Sequence, residues 1–166
     1  MSGYTSIWLE DFKAGQHAVY GDHHFTRDAV LAFARQYDPQ GFHLDDEAAA
    51  KTHFKRLSAS GWHTAAACMK HLAAYHFKLR GEAEARDEPL PALGPSPGFT
   101  NLQWPRPVYP GDTITFSGTI TGARAMKSRP GWGLITLTPQ GHNQHGEKVF
   151  SYDSTVMIAC RGNTGT

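Results

Sequence analysis

Between Trp62 and Lys78 the chain keeps a helical period, and from Thr113 onward it keeps a period of two. That switch constrains the fold more than any other feature. A one-sided helix and a set of half-buried strands each need a covering surface, and each supplies it to the other. Trp62, Ala66, Met69, Ala73 and Phe77 share one face of the helix. Its alanine-rich first half lets a curved sheet pack close, and roughly 17 residues would span about 25 Å. Strands are expected over 113–121, 133–138 and 148–159, with Pro110-Gly111-Asp112 turning tightly before the first and Gly141–Glu147 turning before the last. The expected class is α+β: one long central helix wrapped by a strongly twisted antiparallel sheet.

Upstream, Gln16–Phe25 suits a first strand, and Thr26 is placed to cap a helix over 27–37 with Val30, Phe33, Ala34 and Tyr37 as its stripe. Pro39 and Gly41 stop that helix, and a second short one is expected over 46–51, with Asp46 and Glu47 at its N-terminal end. Ser58–Gly61 lead into the long helix. Residues 81–100 read as a charged, then Pro- and Gly-rich connector, and the tail after Arg161 as frayed. There is no internal repeat. The 166 residues predict one domain over 1–166, with its core at about 15–160.

Sixteen basic residues against 15 acidic ones offer no electrostatic case for nucleic acid or an anionic membrane. The first 15 residues lack the unbroken apolar run of a signal peptide, and no segment is long and apolar enough to span a bilayer. Cys68 and Cys160 read as two reduced thiols in a cytoplasmic protein.

The chemistry concentrates in Tyr37–Asp45, YDPQGFHLD. Asp38 and His43 sit in one turn braced by Pro39 and Gly41, where a carboxylate and an imidazole can converge on a single water and move its proton. The same residues also fit a helix-end cap and a loop histidine. Gly61, at the opening of the long helix, leaves backbone N–H groups unpaired and aimed outward, which suits an oxyanion hole. It equally suits a close approach of backbone to the sheet. Ser60 is placed to be an N-cap or a substrate contact. His23-His24, with His43 and Asp45, match no metal-ligand spacing, and neighbouring strand residues point to opposite faces. His63, His71 and His76 suit capping, solvation or interface roles. Cys68, inside the helix, is a poor nucleophile. Arg106, Lys127 and Arg129 border loops where an anionic ligand or plain solvent would meet them. There is no Gly-rich phosphate loop, GxSxG elbow or CxxC pair.

These motifs resemble the MaoC-like dehydratases, relatives of the (R)-specific enoyl-CoA hydratases with the hot-dog fold. The hydratase signature Asp-x-x-x-x-His-x-Asp matches Asp38–Asp45. Phe33-Ala34 precede it and Ala48-Ala49-Ala50 follow it, as in the family. The glycine that starts the hot-dog helix matches Gly61, and Pro-Val-x-x-Gly-Asp matches Pro107–Asp112.

The resemblance implies that Asp38 and His43 position and activate water, and that the Gly61 N–H polarises the thioester carbonyl. Ser60, Trp62 and Phe42 are then the expected substrate contacts. Water would add reversibly to a trans-2-enoyl-CoA, or to an enoyl group on an acyl carrier protein, giving a (3R)-hydroxyacyl thioester. No cofactor or metal is implied beyond the carrier that belongs to the substrate, and a homodimer joined through its sheet edges is. Two departures stand out. The usual histidine before the helix glycine is Ser60, and a family serine further along is Met69, which is expected to remove a polar contact behind the site. Trp62 is placed to select acyl shape. The alternatives on the same fold are a thioesterase, with water directed at the thioester carbonyl, and a non-catalytic acyl-thioester-binding protein.

Overall fold

The computed structural model describes residues 4–5 and 7–163. After a 3-10 turn at Leu9–Asp11 come β1 (His17–His24), α1 (Arg27–Tyr37), α2 (Gly41–Leu44), α3 (Asp46–Ala50) and α4 (Gly61–Glu84). Then follow β2 (Gly98–Gln103), β3 (Thr113–Ala125), β4 (Trp132–His142) and β5 (Lys148–Ala159). The strands form one antiparallel five-stranded sheet in the order β1-β3-β4-β5-β2. The sheet wraps α4, which is the hot-dog arrangement. Among the described residues no helix is long and apolar enough to cross a membrane.

Alternation builds the core. In β4, Gly133, Ile135, Leu137, Pro139 and Gly141 all point inward, and Ile114, Phe116 and Ile120 of β3 meet them. In β1 the inward phase changes at a bulge. Ala18 and Tyr20 are buried before Gly21, Phe25 after it, and the register shifts between Val19 and Gly21. One inserted residue swaps the faces of everything beyond it. Gly21 takes φ +144°, and a Cβ there would stand 2.9 Å from His71 Nδ1.

Several expectations are corrected. The long helix runs to Glu84, so the connector begins later than residue 81. It also ends in a strand, β2, whose sequence GFTNLQ shows no alternation because nearly all of it is exposed. Asn101, at φ +53°, sits where its pairing with β5 breaks register. β3 is longer than its apolar run because backbone pairing continues past the last buried side chain, Ile120, whereas β4 extends because buried alternation continues through Pro139 and Gly141. The chain after Arg161 is tied down as far as Asn163, whose Nδ2 donates to Gly131 O at 2.9 Å; residues 164–166 lie outside the described part. The largest correction concerns α4. Its sheet-facing side is His63, Thr64, Ala67, Cys68, Leu79 and Ala83. The stripe read from the sequence is left uncovered, with Trp62, Met69 and Phe77 each more than half exposed (55%, 52% and 67%); Met69, Ala73 and Phe77 line an open apolar cleft against Ile120, Ile135, Leu137 and Ile158 of the sheet.

Histidines fill part of the interface between β1, α1 and α4. The His63 ring stacks on Phe33 at 4.6 Å and 4°, and burial lowers its pKa to about 4, with His23 adding a smaller push. Burial also lowers His76 to about 4. Both folded-state values lie below the ordinary 6.5, so the unfolded chain takes up these protons first as pH falls. Their contribution is fully present above about pH 6.5. It declines toward pH 4, by up to about 1.4 kcal/mol per pH unit for each histidine. Urea midpoints measured at pH 7 and pH 5 should therefore fall with acidity, and His63→Phe should flatten the dependence. A midpoint constant across that range would show that neither imidazole is desolvated.

Candidate active site

Asp38 closes α1. Its N–H still bonds Ala34 O, but its own φ and ψ are −150° and 69°, because a residue before proline is pushed out of helical geometry. One helical turn, α2, then brings His43 back beside it. Asp45, the second carboxylate of the segment, caps α3 by accepting the Ala48 N–H at 2.8 Å. It serves the backbone.

Asp38 Oδ2 and His43 Nε2 lie 3.5 Å apart, with side chains 15% and 6% exposed. His43 Nδ1 is 2.7 Å from the carbonyl oxygen of Ser58. A carbonyl only accepts, so Nδ1 carries the proton, and Nε2 is left as the atom that exchanges one on the Asp38 side. Asp38 is held from both ends: Ser60 Oγ donates to Oδ2 at 2.6 Å and Gln40 Nε2 to Oδ1 at 2.7 Å. Burial raises its pKa, but the Ser60 and Gln40 hydrogen bonds and the nearby His43 outweigh that. The carboxyl is held below the usual carboxylate range.

Ser60 is also the N-cap of α4, accepting the Trp62 N–H at 3.2 Å, and is only 1% exposed. Of its two expected roles it takes the cap, and its hydroxyl is spent on Asp38 instead of facing a substrate. Its carbonyl accepts the His63 and Thr64 N–H groups at 3.0 and 3.2 Å. The Gly61 N–H has no acceptor among the described residues, as a first-turn donor need not. Gly61 is also a close approach, made by an indole and not by the sheet. Trp104 Nε1 donates to Gly61 O at 2.9 Å, and a Cβ on Gly61 would stand 2.7 Å from Trp104 Cε2.

A cleft of about 460 Å³ opens here, lined by Asp38, His43, Gly61, Phe42, Trp62 and Trp104 among others. That size suits a small-molecule site. Size alone does not select it. A cleft of about 540 Å³ between β2 and β5 is larger, but its walls hold no acid–imidazole pair.

Of the six residues expected as catalytic groups or substrate contacts, Ser60 is thus buried behind the cleft, and Asp38, Phe42, His43, Gly61 and Trp62 line it. Met69 is half exposed and does not line this cleft; it lines an adjoining apolar one with Trp62, Phe150 and Tyr152. Lys127 and Arg129 are elsewhere, Arg129 over the Trp132 ring at 4.5 Å, whereas Arg106 reaches the cleft wall. No group of three or more His, Cys, Asp or Glu side chains is arranged for a metal ion among the described residues. Gln40 and Trp104 carried no recognisable signal. Gln40 lies inside the signature at a variable position, and Trp104 follows a strand that the pattern did not reveal.

The family profile described as "MaoC like domain" matches residues 12–131. Among solved structures, the MaoC-like dehydratase from Rhodospirillum rubrum is 34% identical, with a TM-score of 0.80 and coverage of 94% of this chain and 99% of that one. A Bacillus subtilis (strain 168) protein, YdeM, described as uncharacterized, is 27% identical over 150 residues, 90% of this chain and 97% of its own. Mesaconyl-CoA hydratase from Cereibacter sphaeroides is 36% identical over 64 residues, 39% of this chain but 18% of that protein. The chain belongs to the MaoC-like dehydratase family, and its activity is of that family's hydro-lyase type.

Proposed function

We propose that the protein reversibly adds water to a trans-2-enoyl thioester, giving the (3R)-hydroxyacyl thioester, with Asp38, His43 and Gly61 as its catalytic groups. The observation that carries this reading is the 3.5 Å pairing of Asp38 Oδ2 with His43 Nε2 in the cleft that Gly61 also lines. Both atoms are acceptors in this tautomer, so a water lying between them donates one hydrogen to each. Its oxygen lone pair is then free to attack C3. The leaving proton passes to the pair, electron density moves through C2 to the thioester oxygen, and the Gly61 N–H accommodates that charge. A proton returned from the pair to C2 completes the addition, and the reverse sequence is dehydration. The thioester is its own electron sink. The (3R) outcome follows the likeness of Asp38–Asp45 to the (R)-specific signature. Phe42 and Trp62 supply apolar walls for the acyl group.

A second copy of the chain is part of this reading. Trp62, Met69 and Phe77 form an exposed apolar stripe, and β1 and β2 are both open edges. Light scattering should give twice the 18.3 kDa of one chain; a monomer at micromolar concentration would remove the dimer from the account.

Enoyl-thioester absorbance followed alongside free thiol tests the reaction. Loss of conjugation without thiol release is the expected result, and thiol release from a saturated acyl-CoA would point to a thioesterase. Asp38→Asn and His43→Gln should each lower kcat by about 10²-fold or more with the fold intact; turnover unchanged in both would overturn the assigned roles. Gly61→Ala should also lose activity, and overpacking against Trp104 should cost stability on the order of 1–3 kcal/mol. Wild-type thermal stability in that variant would mean that the indole yields freely.

A further inference from the structure

We infer that the loop 51–56, together with Arg106, is a phosphate-binding rim that takes the diphosphate and 3′-phosphate of a coenzyme A thioester; this rests on the acyl-thioester reading of the cleft. Lys51, His53, Lys55 and Arg56 fall within six residues of a chain whose net charge is +1. Among the described residues, none of Lys51, Lys55 and Arg56 is ion-paired with a carboxylate. The same loop supplies His53 and Phe54 to the wall of the cleft that holds Asp38 and His43. Its fixed charges therefore stand beside that opening.

The loop is built to hold them. Thr52 Oγ1 donates to Ala49 O at 2.8 Å and accepts the Phe54 N–H at 3.2 Å. Lys55 adopts φ +64°, a left-handed conformation in which a glycine would be unstrained, yet a cation stands there. The Arg56 guanidinium lies 3.8 Å from the centre of the Tyr109 ring, and Tyr109 Oη donates to Phe54 O at 3.1 Å. A guanidinium parked on an aromatic face loses less freedom on meeting a phosphate, and its fork matches phosphate oxygens. Arg106 reaches the cleft between Pro105 and Pro107. Its partner Glu147, at 3.3 Å, is a solvent-exposed and weakly held one.

The chemistry selects the ligand class. The acyl end of a thioester enters the cleft, so its carrier must leave past this loop. Coenzyme A brings several phosphate charges at the end of its arm. An acyl carrier protein brings a single phosphodiester, and one such charge does not use a row of three unpaired cations.

The test compares the wild type with the triple variant Lys51→Gln, Lys55→Gln, Arg56→Gln. Calorimetric titration with adenosine 3′,5′-bisphosphate and with free coenzyme A should show saturable binding to the wild type that weakens with salt. The variant should bind both about tenfold or more weakly. With a trans-2-enoyl-CoA, KM should rise by a similar factor at unchanged kcat. The same acyl group on N-acetylcysteamine, which has no phosphate, should be turned over equally by both proteins. Equal binding of the two probes by both proteins, or an equal loss on the N-acetylcysteamine ester, would overturn the rim. So would a higher kcat/KM on an enoyl–acyl carrier protein than on the enoyl-CoA. If neither thioester is turned over but the charge-dependent binding is present, the rim stands and the hydratase reading falls.

Discussion

The Ser60 hydroxyl joins the two halves of the site. It donates to Asp38 Oδ2 at 2.6 Å while accepting the Trp62 N–H at 3.2 Å. A single group thus caps α4 and fixes the carboxylate that ends α1. The end of one helix is thereby set against the start of another, and Gly61 follows at once in the chain. Capping and positioning are usually separate tasks. Here a change at residue 60 disturbs both, which ties the geometry of the cleft to the stability of the helix that the sheet wraps.

Around that junction the electrostatics divide cleanly. The hydroxyl and amide donors around Asp38 favour its charged form against burial, and a backbone carbonyl sets the tautomer of His43. Neither group depends on a formal countercharge from outside the site. The other histidines are treated differently. His63 and His76 sit where burial keeps them neutral, so acidity acts on the packing of α4.

The surface is divided as well. The exposed stripe of α4 offers apolar contact, while the loop after α3 offers fixed positive charge next to the cleft. A thioester on a phosphate-bearing carrier would complement both, with an apolar acyl end, an anionic carrier end and the reacting carbons between them. The same division suits a second copy of the chain on the apolar side, which would leave the charged loop open to a soluble carrier.

Much of this was legible in the sequence, because the signals were local. The period change marked α4 and the long strands, Pro39 and Gly41 marked the turn, and the likeness of Asp38–Asp45 to the hydratase signature marked a pair whose spacing alone left a cap and a loop histidine open. Periodicity showed that Trp62, Met69 and Phe77 share a face, but a stripe carries no label for inside or outside. The sheet instead buries His63, Thr64, Ala67 and Cys68, whose polar members hid that face. β2 was silent for a related reason: an exposed edge strand needs no alternation, only a neighbour to pair with. Ser60 shows the limit most directly. Its sequence position allowed a cap or a substrate contact, and only the fold, by carrying Asp38 across 22 residues to meet its hydroxyl, decided the matter. Sequence alone determined the class of fold and the chemical groups available. Tertiary structure decided which of them face the cleft, because that depends on contacts between segments whose separation along the chain records nothing of their approach.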